Sequence, residues 1–366
     1  MSAHEFLIAV MALFAVLGGL DRIFGNRFGL GQEFENGILA MGSLALAMIG
    51  VVCLAPVLAA LLGPVVTPVY RLLGADPAMF AGTILACDMG GASLAQEMTS
   101  DPQAALLGGV LGGSMLGATV VFTIPVALGI LEPEDRPALA QGILAGIVTV
   151  PVGILAGGLT AGFPIGMVLR NLIPIVLIAL LIALGLWRAE KAMIRGFAAF
   201  GKGVVAVITA GLAAAITQSL TGIVLIPGMA PIEEGFQTVG AIAIVLAGAF
   251  PLVYVLTRLL RRPLQRLGTR LGINSAAAAG LVASLANSIA TFGMVKDMDR
   301  RGKVVNIAFA VSAAFVFGDH LGFTAGFAPQ MLPALIVGKL AGGVSAVAAA
   351  LWLTRRDKPR SDALGG

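Results

Sequence analysis

The sequence predicts an all-α polytopic membrane protein built from two inverted repeats, each carrying a re-entrant or broken helical hairpin. Three observations lead there. Apolar runs of spanning length follow one another along the chain, two of them are interrupted by polar residues at matching positions, and basic clusters recur between them. Of 366 residues, 58% are hydrophobic and only 11% charged, whereas a soluble domain carries about 25% charged residues. The mean hydropathy of +0.99 agrees. The 49 glycines suit helices packed closely in lipid, and the short alternating strands of an outer-membrane barrel are missing from the pattern. The net charge of +4 comes from basic residues between apolar runs. There it sets orientation against the bilayer and does not signal nucleic-acid binding.

A spanning helix needs about 20 mostly apolar residues. Eleven hydrophobic segments qualify as candidates: 5–20, 37–62, 79–96, 104–131, 138–162, 169–187, 198–226, 235–257, 275–295, 303–328 and 331–354. The first is read as a retained helix, because His4 and Glu5 precede it in place of a basic region and no A-x-A-like cleavage site follows. Cys53 and Cys87 lie in apolar stretches without a CxxC or metal-type neighbour, so both read as small packing residues. Gly108, Gly112, Gly113 and Gly117 fall on one helix and read as a close-packing stripe. Segments 79–96 and 275–295 stand apart. Asp88-Met89-Gly90-Gly91 interrupts the first and Asn287-Ser288 the second, which would leave polar groups in lipid if these were plain spans.

The two interrupted segments correspond. At a constant offset of 198 residues, Glu35 and Gly37 fall on Glu233 and Gly235, Gly50 on Gly248, and Gly82 on Gly280. The chain therefore divides into a first repeat over 1–165, a linking helix within 166–194, a second repeat over 195–356 and a short cytoplasmic tail over 357–366. Arg258, Arg261, Arg262, Arg266 and Arg270 mark the loop before the second interrupted segment as cytoplasmic. Arg188, Lys191, Arg195 and Lys202 do the same for the linking loop, and Arg355, Arg356, Lys358 and Arg360 for the C-terminus. All three clusters stay on one side only if 275–295 enters and returns. The same treatment of 79–96 gives about nine full crossings with the N-terminus outside, and hairpins that enter from opposite faces. Inverted repeats with paired broken segments are the sequence signature of a secondary transporter with a midplane site. The loop 132–136 (EPEDR) fits least well, being cytoplasmic in this topology with three acids and one base.

Several of these stretches also resemble a known family. Phe80-Ala81-Gly82-Thr83-Ile84-Leu85-Ala86-Cys87-Asp88-Met89-Gly90-Gly91, Ala127-Leu128-Gly129-Ile130-Leu131-Glu132-Pro133, Arg301-Gly302-Lys303-Val304 and Gly318-Asp319-His320-Leu321-Gly322-Phe323 are similar to the ethanolamine-utilisation membrane protein family. So are Asp21-Arg22-Ile23 and Gln32-Glu33-Phe34-Glu35. The likeness covers nearly the whole chain, with a shorter tail after Leu353 and a shorter loop around 22–32. It implies a permease of the bacterial inner membrane that takes up ethanolamine for cytoplasmic catabolism.

Ionisable residues inside membrane segments are costly and mark function by default. Asp88 is the first candidate for pairing with a primary ammonium, together with its neighbour Met89; capping of the second hairpin arm is the competing role. Asn287 and Ser288 supply uncharged donors and acceptors for a hydroxyl, or else cap. Asp319 is the second candidate for amine contact and His320 a proton relay, although neighbours on a helix point about 100° apart and need not share a cavity. Gly90 and Gly91 let the first hairpin turn tightly and belong to a gate. Glu35 and Glu233, equivalent in the repeats, read as capping residues. Glu97 and Lys339 read as snorkelling to an interface, and Phe292 and Phe323 as aromatic faces for an ammonium or as core. No P-loop, nucleophile elbow or metal-ligand spacing occurs, so the expectation is transport without catalysis, cofactor or metal. The expected partners are ethanolamine and the lipid bilayer, with association into a homo-oligomer left open. The rival readings are a membrane sensor or scaffold for an amine or a cytoplasmic partner, and a transporter for another small polar amine.

Overall fold

The computed structural model of the chain describes residues 2–355, so the tail expected over 357–366 lies outside the described residues. Helices account for nearly all of the described chain, with no strand among the described residues. Helices α1 (Ala3–Ile23) and α2 (Leu30–Leu72) are followed by two short helices, α3 (Ala78–Ile84) and α4 (Gly91–Met98). A continuous helical stretch then runs over α5 (Pro102–Ala105), wide π-helical turns at Leu106–Gly117 and Thr119–Thr123, and α6 (Ile124–Ile130). After α7 (Arg136–Ile147), α8 (Val150–Thr160), α9 (Ile165–Thr221) and α10 (Ile232–Leu271) come the short α11 (Ser275–Ala286) and α12 (Ser288–Met294). The chain closes with α13 (Arg300–Ala313), α14 (Asp319–Phe327) and α15 (Leu332–Leu353).

Among the described residues, seven helices are long and apolar enough to cross a membrane. Their outward faces carry large apolar side chains, among them Leu61, Leu72, Leu220 and Ile244 at 70% exposure or more. Such a surface suits contact with lipid. At about 1.5 Å per residue, α9 would be about 85 Å long, far beyond a bilayer core of about 30 Å. It breaks at Ala189, whose backbone (φ −141°, ψ 46°) is not helical, so the segments expected at 169–187 and 198–226 are separate spans; the second ends at Thr221.

Both interrupted segments return to where they started. At the mouth of the α3–α4 hairpin, the Thr99 hydroxyl donates to the Asp76 carboxylate at 2.8 Å, while the Asp76 N–H donates to the Asn171 side chain at 2.7 Å. At the mouth of α11–α12, the Asn274 N–H donates to Asp299 at 2.8 Å and its side-chain amide to the Asp297 carbonyl at 2.9 Å. Within the second hairpin, Thr291 donates to the Gly280 carbonyl and shares a hydrogen bond with Ser284, tying the two arms together.

The mouths face opposite ways because α2 and α10, which pack closely against each other, run antiparallel. A Cβ at Gly37 would lie 2.5 Å from the Leu246 carbonyl, and one at Gly235 would lie 2.8 Å from the Ile49 side chain. Advancing along α2 therefore retreats along α10. Each hairpin leaves the C-terminal end of its long helix, so the two open at opposite ends of the pair. In a background without Cys53 and Cys87, Gly272→Cys and Lys296→Cys are expected to react with an impermeant maleimide from the same face, and Gly74→Cys and Ser100→Cys from the other. Reaction of Gly272→Cys and Lys296→Cys from opposite faces would refute this.

Two expectations about the spans change. Segment 303–328 is not one continuous helix: it breaks over 314–318, between α13 and α14. Likewise 138–162 is interrupted by a turn at Val148-Thr149. The acidic loop 132–136 is accounted for by a partner. Asp135 is ion-paired with Lys303 at the start of α13, both side chains largely buried, so the loop lies beside the basic stretch 296–303. Breaking a buried pair from one side costs about 3–5 kcal/mol, while replacing both partners with apolar groups is close to neutral. Lys303→Met is therefore expected to lower the melting temperature, and addition of Asp135→Leu to restore most of it. An equally large loss in both variants would contradict the pairing.

Candidate functional site

The first hairpin stops being helical after Ile84. Leu85 and Ala86 are extended, Cys87–Met89 make one 3₁₀ turn, and Gly90 enters α4 in the left-handed region at φ 86°. Only glycine suits this position, since a Cβ would also sit 2.0 Å from Val51. The freed backbone is satisfied locally: the Met89 and Gly91 N–H groups donate to the Ala86 carbonyl at 3.0 and 2.9 Å. No side chain caps α4, so the competing role for Asp88 is not the one it takes.

The break between α13 and α14 supplies the opposite wall. The Phe315 N–H donates to the Ser284 carbonyl at 3.0 Å and the Phe317 N–H to the Leu285 carbonyl at 2.8 Å, so this break docks on the tip of the second hairpin through backbone bonds. Phe315 is held at φ 62°, a conformation that costs a non-glycine residue about 1–3 kcal/mol and clusters at functional sites. Gly318 rests against the Ala286 carbonyl, and Asp319 opens α14.

Between these walls lies a cavity of about 200 Å³ lined by Asp88, Met89, Asp319 and His320, with Phe122 and Phe315 as aromatic walls and Ser43 from α2. At about 30 Å³ per water, it holds a molecule of a few heavy atoms. His320 Nε2 lies 3.8 Å from Asp88 Oδ1, so the imidazole on α14 faces the carboxylate at the tip of the first hairpin. The Phe315 ring stands 5.6 Å from that of Phe122 and 5.3 Å from the His320 ring. Asp88, Met89, Asp319 and His320, chosen from the sequence, are thus brought together.

The other candidates are not. Asn287 is exposed, and its side chain caps α12 by accepting from the Ile289 N–H at 2.8 Å. Ser288 is fully buried with its hydroxyl unpartnered, outside the cavity lining. Glu35 lies beyond the first turn of α2 and forms an ion pair with Arg22 at 3.2 Å in place of a cap. Glu233 is an exposed acid in the first turn of α10. Phe292 and Phe323 are buried in the core, the latter stacked on Phe327. Lys339 corrects the sequence reading most: it does not snorkel but is 1% exposed, and its ammonium donates to the Ser114 carbonyl at 2.6 Å. There it lies within electrostatic reach of the Asp88 carboxylate. The glycine stripe packs against the first hairpin, a Cβ at Gly117 lying 1.9 Å from the Leu85 carbonyl and one at Gly113 2.9 Å from the Cys87 nitrogen. Sequence reasoning missed Phe122, Phe315, Ser43 and the placement of Lys339. For the aromatics no local signal existed; an ionisable residue inside segment 331–354 was the available hint for Lys339.

A helical bundle with two re-entrant hairpins opening at opposite ends, and an acidic cavity buried where a hairpin tip meets a broken helix, defines a polytopic α-helical membrane protein organised around an internal polar site. The chain belongs to a specific family of such proteins: the model of the ethanolamine utilisation protein EutH family matches residues 3–353. It is 59% identical over 356 residues to the probable ethanolamine permease EutH of Listeria monocytogenes, covering 97% of this chain and 95% of that protein. It is 55% identical over 354 residues to the protein YxeR of Bacillus subtilis (97% and 96% covered). Over 395 residues it is 49% identical to the probable ethanolamine permease EutH of Salmonella typhimurium (98% and 97%). No solved structure matches the chain.

Proposed function

We propose that the protein carries ethanolamine across the bacterial cytoplasmic membrane, to supply cytoplasmic catabolism, and that it does so without catalysing a reaction. The observation that carries this reading is the cavity, which two carboxylates, Asp88 and Asp319, line together. Alkyl ammonium groups titrate near the lysine value of about 10, so the substrate enters as a cation. Asp88 supplies its countercharge, Asp319 a second one. The rings of Phe122 and Phe315 are suited to the ammonium and its two methylenes, and Ser43 or the His320 ring to the hydroxyl.

The permease names of relatives at 49–59% identity support the substrate. The division into repeats 1–165 and 195–356, joined through 166–194, is supported by equivalent contacts. A Cβ at Gly50 would lie 1.9 Å from the Ile208 carbonyl, and one at its counterpart Gly248 would lie 2.1 Å from the Met11 carbonyl. In this reading the hairpins act as opposed gates around the midplane cavity, Gly90 and Gly91 forming the flexible turn of one of them. Lys339 is the resident cation that balances Asp88 when no substrate is present.

Binding of radiolabelled ethanolamine to the purified protein tests the assignment. Saturable binding is expected, displaced by unlabelled ethanolamine and by 2-aminoalcohols of similar size but not by ethylene glycol, which lacks the charge. Equal displacement by ethylene glycol would contradict an ammonium site.

A further inference from the structure

We propose that Cys87, Asp88 and His320 form a binding site for a soft divalent cation such as Zn²⁺, opening on the same cavity. A thiol sulfur, a carboxylate oxygen and an imidazole nitrogen lie within 4.8 Å of one another, with the Asp88–His320 separation at 3.8 Å. Tetrahedral zinc ligands at about 2.0–2.3 Å from the metal stand about 3.3–3.8 Å apart. Small side-chain rotations therefore close the set.

Two features favour a soft cation over a hard one. Sulfur and nitrogen donors select zinc and its softer relatives against magnesium or calcium. The charges also balance: the Cys87 thiol gives up its proton on binding, and the thiolate with the Asp88 carboxylate offsets two positive charges while the imidazole stays neutral. His320 is only 4% exposed and its Nδ1 has no hydrogen-bond partner, so no protein hydrogen bond through that nitrogen holds the ring against the small rotation that brings Nε2 onto the metal. Three protein ligands leave a fourth position that faces the cavity through Asp88 and His320, the open arrangement of a zinc site that can take water. Asp88 belongs both to this ligand set and to the cavity lining proposed to hold the ammonium, so metal and ammonium bind one at a time.

The chain suits a direct test because it contains two cysteines and two histidines in all. Cobalt(II) added to the purified protein in a Cys53→Ala background is expected to give a thiolate-to-cobalt charge-transfer band, which Zn²⁺ displaces. Cys87→Ala should abolish that band while His4→Ala leaves it intact. In vesicles, Zn²⁺ should block ethanolamine uptake, and Cys87→Ala should raise the half-blocking concentration by at least about tenfold while uptake without metal is unchanged. Cys87→Ser, close to the parent in volume, guards against a packing defect and should behave alike. No band in the Cys53→Ala protein, a band that survives Cys87→Ala, or equal sensitivity of parent and variant to Zn²⁺ would each overturn the site. The cobalt band is read without transport, so it stands or falls separately from the ethanolamine assignment.

Discussion

Asp88→Asn is expected to lower ethanolamine uptake efficiency by about 30-fold or more, because removing one partner of a buried charge pair costs about 2–5 kcal/mol and each 1.4 kcal/mol is tenfold. The substitution keeps size and shape. No helix cap is lost, since α4 starts at Gly91 with no side-chain cap, and the tip backbone is held by the Ala86 carbonyl. The variant should therefore reach the membrane and keep its melting temperature. Asp319→Asn should act in the same direction with a smaller effect, because its carboxylate is the second facing the cavity and not the one opposite His320. Full activity of Asp88→Asn would remove the ammonium from this position. A large loss of folded protein would give Asp88 a structural role instead.

Lys339→Met should separate stability from function. An ammonium buried at 1% exposure with a single carbonyl acceptor is expensive to hold, and replacing buried ionic groups with apolar ones of similar volume often stabilises by about 1–4 kcal/mol. The melting temperature is thus expected to stay level or rise. Transport should change the other way. Without the resident cation beside Asp88, the substrate ammonium meets no repulsion on entry and no competitor on exit, so KM falls while turnover drops about tenfold, about 1.4 kcal/mol at the limiting step. Lys339→Arg, which keeps the charge but adds bulk, should retain part of the turnover. A variant with normal turnover and a lower melting temperature would make Lys339 a packing residue only.

The hairpins were legible in the sequence because a spanning helix needs unbroken apolar residues, and Asp88-Met89-Gly90-Gly91 and Asn287-Ser288 violate that locally. Their opposite openings were legible through the repeat and the distribution of arginines. The break at 314–318 was not. Ala314-Phe315-Val316-Phe317 is apolar throughout, and its non-helical backbone is stabilised by carbonyls of Ser284 and Leu285 from the neighbouring hairpin. Such tertiary bonds leave no mark on local composition. The same break explains why Asp319 and His320 both reach the cavity although a regular helix would separate them: they begin a new helix at its rim. The pairing of Asp135 with Lys303 and of Asp88 with His320 joins residues 168 and 232 positions apart, which one sequence cannot reveal. Asn287 was chosen as polar in an apolar run. Its side chain in fact answers the nearer demand, the open N–H groups at the start of α12.

The central claim is that this chain alone moves ethanolamine through the cavity bounded by Asp88 and Asp319. The most direct measurement is uptake of radiolabelled ethanolamine into proteoliposomes holding only this protein, with pH and sodium gradients varied. Uptake that saturates, is competed by unlabelled ethanolamine and is lost in Asp88→Asn is the expected result, and its dependence on the gradients separates facilitated diffusion from ion coupling. Uptake no greater than that of empty liposomes, from protein that is folded and correctly inserted, would contradict it.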